Sequence, residues 1–561
     1  MDIKKALLFA ALGFVLLQIW QEWQKDFGPK PNTPISSSAP ASALPVEGQP
    51  AMATGDVPSS PANQGAAGTA VPATTSEAAP KQDLLDKGQR IEVVTDLVRA
   101  EIDTVGGDLR QLALLNYPVA AKTPQEPFHL LNDTLPEVFV AQSGLLANLS
   151  SPDHHAVFTA EQAQYQLPEN SKELSVRLHW VSPEGVKVVK IYTFQRGSYE
   201  IKLDYQIENA TAQDWKGHLY SQFQRVVDES KNSRFIYTYT GAVLSSPENK
   251  YEKIKFDSLE KQVVSRDFKE GWVAVLQHYF VGAWIPAREQ TNHYYTKALG
   301  EKRYLVGVST PEVTVPAGQM GTLSTRLYAG PKLQDHLAEV APGLELTVDY
   351  GYLTVLAEPL FWLLKHIHGL IGNWGWSIVI LTFLIKLVFY KLSAASYKSM
   401  ANMRRLQPRI ASLKERFGED RQRMSQALME MYKTEKINPL GGCLPVVVQI
   451  PVFIALYWVL LESIELRQAD FVLWINDLSS PDPYYILPLL MGVTMLIQQM
   501  LSPAPPDPLQ AKVMKILPVA FTFFFAFFPA GLVLYWVANN TLSITQQWYI
   551  TRQIEAAAGS K

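Results

Sequence analysis

Residues Trp374 to Leu392 read WGWSIVILTFLIKLVFYKL. Lys386 and Lys391 are the only charges in this run, and it approaches the ~20 residues that a helix needs to cross the hydrocarbon core of a bilayer. Four later stretches share its character: Pro439 to Leu461, Tyr484 to Leu501, Val513 to Phe528 and Leu532 to Ile550, each flanked by turn residues or charges. An earlier run, Ala6 to Trp20, follows Lys4 and Lys5 and fits either a signal peptide or an anchor. No small-x-small cleavage pattern follows it, and Trp20 and Trp23 suit an interface, which favours the uncleaved anchor. These runs predict six spans in a polytopic α-helical membrane protein.

Basic residues set the orientation. Between Lys391 and Lys436 lie eleven lysines and arginines, whereas Ile464 to Pro483 carries only Arg467. Positive loops stay inside, so the first of these loops is predicted to be cytoplasmic, as are both termini, and the second external. Within the basic loop, Met403, Leu406, Ile410, Leu413 and Phe417 recur at helical spacing; after Gly418 the stripe resumes at Met424, Ala427, Leu428 and Met431. Two antiparallel helices over 396–436 are expected. Their arginines, Arg404, Arg405, Arg409 and Arg416 among them, are either a solvated face that obeys topology or a contact for anionic lipid or a ribosome.

The rest of the 561 residues is organised differently. Residues 28 to 88 contain ten prolines and no aromatic residue, so they cannot bury enough apolar surface to offset chain entropy; they read as an extended linker that separates the anchor from the next domain rather than folding onto it. From about Ile91 to Gly330 the period becomes two. Tyr199, Ile201, Leu203, Tyr205 and Ile207 alternate with Glu200, Lys202, Asp204 and Gln206, and a Gly-containing turn at Gln195 to Ser198 joins this strand to Val186–Phe194. Repeated hairpins predict antiparallel sheets packed as a β-sandwich. Tyr352 to Ile371 is apolar but interrupted by Glu358, Pro359, Lys365, His366 and His368, which fits an amphipathic helix lying in the interface. The resulting map is anchor 1–24, linker 25–88, sandwich 89–335, connecting segment with interfacial helix 336–373, five-span core 374–550 and tail 551–561.

Candidate chemistry is confined to the membrane part. Lys386 lies ten residues after Trp376, hence ~15 Å along the helix, too deep to snorkel easily. A charge there costs ~2.5–3.5 kcal/mol on insertion scales, so it should face protein or water. Thr382, four residues earlier, shares its face, and Gln449, Thr494, Gln498, Gln499, Asn539, Asn540, Thr541, Ser543, Gln546 and Gln547 add polar groups in other spans. No acidic residue stands at matching depth, which points to a wet cavity; interhelical hydrogen bonding is the simpler reading of the amides. The net charge of -3 gives no general attraction to nucleic acid, and no direct DNA binding is expected. No phosphate-binding loop, HExxH or GxSxG is present, and the single cysteine, Cys443, allows no disulfide or CxxC metal site, so neither an enzyme nor a cofactor is expected. His366 and His368, two apart on a helix, make a poor metal pair.

The stretch Asn438 to Cys443 (NPLGGC) resembles the YidC membrane protein insertases, and the likeness continues through ESIELRQA at Glu462–Ala469, DPYYIL at Asp482–Leu487, MGVTM at Met491–Met495 and GLVLY at Gly531–Tyr535. This resemblance implies a five-helix insertase core in the bacterial inner membrane, with a hydrophilic groove open to the cytoplasm, and a periplasmic β-sandwich of the Gram-negative type. It also implies insertase and membrane-chaperone activity on nascent membrane proteins, alone or with the Sec translocon and ribosomes, with substrate sliding along the third and fifth spans. Thr382, Lys386, Gln449 and Trp536 fall where the family's groove or substrate-contacting residues lie. The usual groove charge is arginine and the usual aromatic at the last position is often tyrosine, so Lys386 and Trp536 are departures. Intramembrane polar residues also suit a small-solute transporter or channel, the main alternative, although no repeated pair of broken helices supports it.

Overall fold

The alternation at Tyr199–Ile207 becomes the strand Glu200–Asn209, with Ile201, Leu203, Tyr205 and Ile207 buried. It pairs with Val186–Gln195 through Phe194 and Ile201, as the turn at Gly197 predicts, and on its other edge with Met320–Pro331 through Tyr205 and Leu323. These strands are the middle of a nine-stranded sheet, which packs on a second sheet of eleven. Both are antiparallel except where Arg90–Val94 runs parallel to Gln164–Gln166. Trp215, Trp284, Tyr192, Phe139 and Phe223 fill the interior, so the sandwich expected from the alternation is formed. The computed structural model describes residues 55–58, 85–228, 238–261, 263–417, 420–435, 444–502 and 508–559. The expected anchor, most of the linker, Pro439 and Cys443 lie outside them.

The interior also holds charge, on the inward face that Val186, Val188, Tyr192 and Phe194 share. Lys190 is fully buried; its ammonium donates to the carbonyls of Gly106 (2.9 Å) and Ser143 (3.3 Å) and stands 3.9 Å from Asp108. Burial pulls its pKa down to about 7, against the attraction of Asp108.

The C-terminal bundle, whose helices are numbered here from its start, comprises α1 (Thr354–Ile371), α2 (Trp374–Val388), α3 (Tyr390–Arg405), α4 (Gln407–Phe417), α5 (Arg421–Thr434), α6 (Leu444–Glu462), α7 (Ile486–Leu501), α8 (Pro508–Phe525) and α9 (Ala530–Gly559). α1 is amphipathic as expected: Ala357, Phe361, Leu364 and Ile367 face α2 and α6, while Val355, Trp362 and Leu370 are exposed. Its histidines do not meet. His366 lies over Trp362 and His368 stacks on Trp374.

Four expectations are corrected. The apolar run does not continue straight to Leu392: α2 stops at Val388 and α3 departs at 70°, because the sequence beyond is polar on one side. Residues 396–436 form parts of three helices, since α3 ends at Arg405 and α4 begins anew. Pro408 explains the break, being tolerated in a helix's first turn but not in its interior. Residues 551–559 are no separate tail but extend α9, where Gln553, Glu555 and three alanines are strong helix formers. The linker does touch the next domain, because Asp56 meets His154 and His155. Among the described residues no single helix is long and apolar enough to cross a membrane; the bent pair α2–α3 is so when taken together, and α6 and α7 contain shorter apolar stretches.

Sandwich and bundle meet at a junction of polar contacts. Lys332, directly after the strand Met320–Pro331, pairs with Glu462 at the end of α6 (3.2 Å) and donates to Thr347 O (3.1 Å). His278 reaches Leu461 O at 2.9 Å, and Arg467 donates to Pro118 O at 2.7 Å while its guanidinium lies over Phe128 and Phe280.

Candidate functional site

Asn373 starts α2 by accepting a hydrogen bond from Trp376 N–H (3.0 Å), an N-cap that satisfies one orphan donor. Its amide also donates to Phe471 O (3.0 Å), and Gly375 lies so close to the Phe471 ring that a Cβ there would collide. Two turns on, Thr382 is buried and donates to Ile378 O of its own helix (2.6 Å). Lys386 follows in the last turn of α2, where the exposed carbonyl ends favour a cation. The bend after Val388 therefore places it near a helix terminus, where the uninterrupted span had put it mid-helix.

Lys386 is only 7% exposed and donates to Ser543 Oγ at 2.7 Å. Ser543 in turn donates to Asn539 O (2.7 Å). Among the described residues no carboxylate pairs with the ammonium. Ser543 belongs to a face of α9 made by Trp536, Asn540, Ser543 and Gln547, spaced by four, three and four. Asn540 donates to Thr494 (3.3 Å) and Gln547 to Leu501 O (3.1 Å), tying this face to α7. Ser393 and Ser396 of α3 are buried as well. Three buried amide atoms, Gln449 Nε2, Gln498 Oε1 and Gln547 Oε1, have no hydrogen-bond partner among the described residues.

Trp536, two turns before Ser543, sits edge-on to Phe453 of α6 at 4.7 Å and beside Phe525 at 5.1 Å. Gln449 is one turn from Phe453, so it joins the α9 face through that aromatic contact rather than by touching Lys386. The basic loop is less uniform than its sequence implies. Arg404 and Arg405 are exposed in the last turn of α3, Arg409 pairs with Glu435 and so ties α4 to the end of α5, and Arg416 lies over Phe417. Sequence reasoning missed Ser393 and Ser396; the small polar run S-A-A-S after the last apolar residue was the available signal.

The bundle buries a polar patch around Lys386 beside an apolar core that includes Ile378, Leu456 and Met491, and its outer surface is apolar as well. Leu489, Val493 and Met500 of α7, and Val513, Val519 and Phe523 of α8, are exposed, while the groups around Lys386 are buried. A soluble protein arranges these the other way round. The end opposite Lys386 is closed by residues 463–485. Asp482, 1% exposed, accepts from Trp474 Nε1 (3.0 Å), Tyr484 N–H (3.0 Å) and Leu487 N–H (2.7 Å). The same loop receives the start of α9: Ala530 N–H donates to Ser480 O and Gly531 N–H to Leu478 O, each at 2.8 Å. A Cβ at Gly531 would stand 3.1 Å from that carbonyl, which accounts for glycine at the head of the GLVLY stretch.

Residues 90–363 match the family model described as the YidC periplasmic domain, and residues 366–557 match that of the 60Kd inner membrane protein. A membrane protein insertase YidC of Nitrosococcus oceani is 53% identical over 560 residues, covering 99% of both chains. One from Methylococcus capsulatus is 50% identical over 558 residues, again covering 99% of each. A solved structure of active YidC insertase, with its first transmembrane domain resolved, covers 84% of this chain and 94% of its own at 18% identity and a TM-score of 0.39. Two family models that together span sandwich and bundle, and identity near one half along the full length, settle the assignment: the chain belongs to the YidC family of membrane protein insertases.

Proposed function

We propose that insertion is carried by the polar interior around Lys386, used as a groove that opens to the cytoplasm and holds the polar flank of an incoming chain while its apolar segment leaves along the bundle's exterior. The observation that carries this reading is a buried ammonium whose partner is a hydroxyl. Charge in an apolar layer is costly unless it meets water or a counter-charge, and Lys386 meets Ser543 on a polar face of α9 that is itself hydrogen-bonded to Thr494 of α7. The unpaired amides of Gln449, Gln498 and Gln547 can be satisfied by water or by a passing peptide backbone. Such a site lowers the cost of moving a hydrophilic segment into the layer, and its charge attracts carboxylates. Thr382, Gln449 and Trp536 are assigned to the same path, Trp536 as an apolar wall.

In this reading six spans cross the inner membrane, with both termini in the cytoplasm and the sandwich in the periplasm. The apolar outer surface of α7 and α8 faces phospholipid. Of the four arginines Arg404, Arg405, Arg409 and Arg416, the first two are assigned to a ribosome or anionic headgroups, since Arg409 and Arg416 have partners within the loop. Cooperation with the Sec translocon follows from family membership.

The test is purified protein in liposomes with a one-span substrate that carries either an acidic or a neutral translocated tail. Insertion should exceed that into empty liposomes, and Lys386→Met should slow the acidic substrate more than the neutral one. Equal slowing of both would refute the electrostatic role and leave Lys386 with hydration or packing. Solute flux through the pure protein, without insertion, would favour the channel reading.

A further inference from the structure

The β domain carries a cluster that insertion does not use. The loop after the strand Phe139–Ala147 brings Asp153, His154 and His155 against the sandwich, and two glycines allow it to sit closely: Gly106 beside His154 O, and Gly144 beside Asp153 Cα. His154 is 1% exposed, and both its N–H (3.1 Å) and Nδ1 (2.6 Å) contact the hydroxyl of buried Tyr220. That fixes the ring with Nε2 turned away from Tyr220. His155 follows with its ring centroid 4.2 Å away.

Facing both rings is Asp56 of the linker. Its backbone O accepts from Gln222 Nε2 (3.2 Å), and the preceding Gly55 O accepts from Lys297. Asp56 Oδ2 lies 3.3 Å from His154 Nε2, and Oδ1 lies 3.0 Å from His155 Nε2. His154 Nε2 is buried but has no properly aligned hydrogen bond among the described residues, despite that approach. One ligand atom from each of the three side chains falls within 4.8 Å of the others.

We infer that Asp56, His154 and His155 form a divalent transition-metal site, of the zinc class, that fastens the linker to the outer domain. Ligands bound at ~2.0–2.1 Å in a tetrahedron stand ~3.3 Å apart, and the Asp56 distances already lie close to that. Two imidazole nitrogens and one carboxylate suit zinc and its neighbours, whereas magnesium and calcium prefer oxygen alone. The outer ligand shell is also present. Tyr220 holds His154 Nδ1 and so turns its Nε2 to the site, while His155 Nε2, 3.0 Å from Asp56 Oδ1, would exchange that hydrogen bond for a shared ion. Three protein ligands leave a fourth position for water.

The experiment uses the full chain in detergent, without a histidine tag, stripped with chelator and titrated with zinc chloride by calorimetry. One equivalent should bind with a dissociation constant of about 1 µM or tighter, and His155→Ala or Asp56→Ala should weaken it at least ~10-fold. Cobalt should give the absorption of a tetrahedral site. Both substituted side chains sit at the rim, so folding should survive, and near-UV circular dichroism checks it. His154→Ala is avoided because that side chain is buried. Zinc binding that is absent, or that persists unchanged in both folded variants, overturns the inference.

Discussion

Replacing Lys332 by methionine should separate the sandwich from the bundle more effectively than any surface change. Lys332 and Glu462 are 3% and 5% exposed and 3.2 Å apart, and Lys332 also satisfies Thr347 O. Removing one partner of such a pair leaves a buried charge uncompensated, which costs ~3–5 kcal/mol, with ~1 kcal/mol more for the abandoned carbonyl. For a domain of this size that is a fall in the sandwich's unfolding temperature on the order of 10 °C. Glu462→Leu alone should cost a similar amount, because the ammonium then keeps only Thr347. The double variant, Lys332→Met with Glu462→Leu, buries two apolar groups and should come within ~2 kcal/mol of the parent. Tryptophan fluorescence during heating in detergent, over the complete double-mutant cycle, measures the coupling. Single variants that each cost under ~1 kcal/mol, or a double variant as poor as their sum, would refute the claim that this pair fixes the junction.

Four shorter predictions follow from other sites. Lys190 has a folded pKa of about 7, below its ordinary 10.5, so between these values the unfolded state holds a proton that the folded state lacks. Sandwich stability should therefore rise with pH from about 7 towards 10, by up to ~4 kcal/mol, and Lys190→Met should abolish that rise in denaturant titrations. Asp482→Ala removes three accepted hydrogen bonds and should cost ~2–4 kcal/mol, read as faster proteolysis within 463–485; unaltered cleavage would contradict its role. Lys386→Arg retains the charge, so liposome insertion of acidic-tailed substrate should stay within about threefold of the parent, while Lys386→Met should lose ~10-fold, a difference equal to ~1.4 kcal/mol. Pro408→Ala should let α3 and α4 join, lengthening the distance between spin labels at Lys398 and Ser412.

What could be read beforehand divides along a physical line. Period-two alternation at Ile201 to Ile207 and apolar runs at 374–392 or 484–501 are local signals, since each residue's environment follows from neighbours a few positions away. The sandwich and the helical bundle were legible for that reason. Lys386 was legible because a lone charge in an apolar run stands out; Ser543, its partner, lies 157 residues away and was one polar group among several. Lys190 shares the inward parity of Val186, Val188, Tyr192 and Phe194, so its burial was legible in the alternation, but its partners Gly106, Asp108 and Ser143 lie far away in sequence. The same limit hid Asp56, placed against His154 and His155 about a hundred residues later in a linker whose composition gives no reason to fold. Pro408 is different, because its meaning was local and the apolar stripe across it was given more weight.

The junction changes how the outer domain relates to insertion. The motifs that carry the family resemblance all lie in the core and none in the sandwich. In the structure the sandwich's last strand runs into Lys332, that lysine and His278 contact the end of α6, and Arg467 of the loop beyond α6 reaches back to Pro118 of the sandwich. That loop, through Asp482 and the carbonyls of Leu478 and Ser480, holds the starts of α7 and α9. α9 carries Ser543, and hence the partner of Lys386, near its middle. These polar contacts tie the sandwich to the helix ends nearest it, while the helix breaks at Phe389 and Leu406 fall on the side to which the groove is assigned. An insertase needs that asymmetry: one end must stay sealed while the other yields to a polar segment. If the groove lies around Lys386 as proposed, loosening the Lys332 contact should cost insertion only to the extent that it also loosens α9.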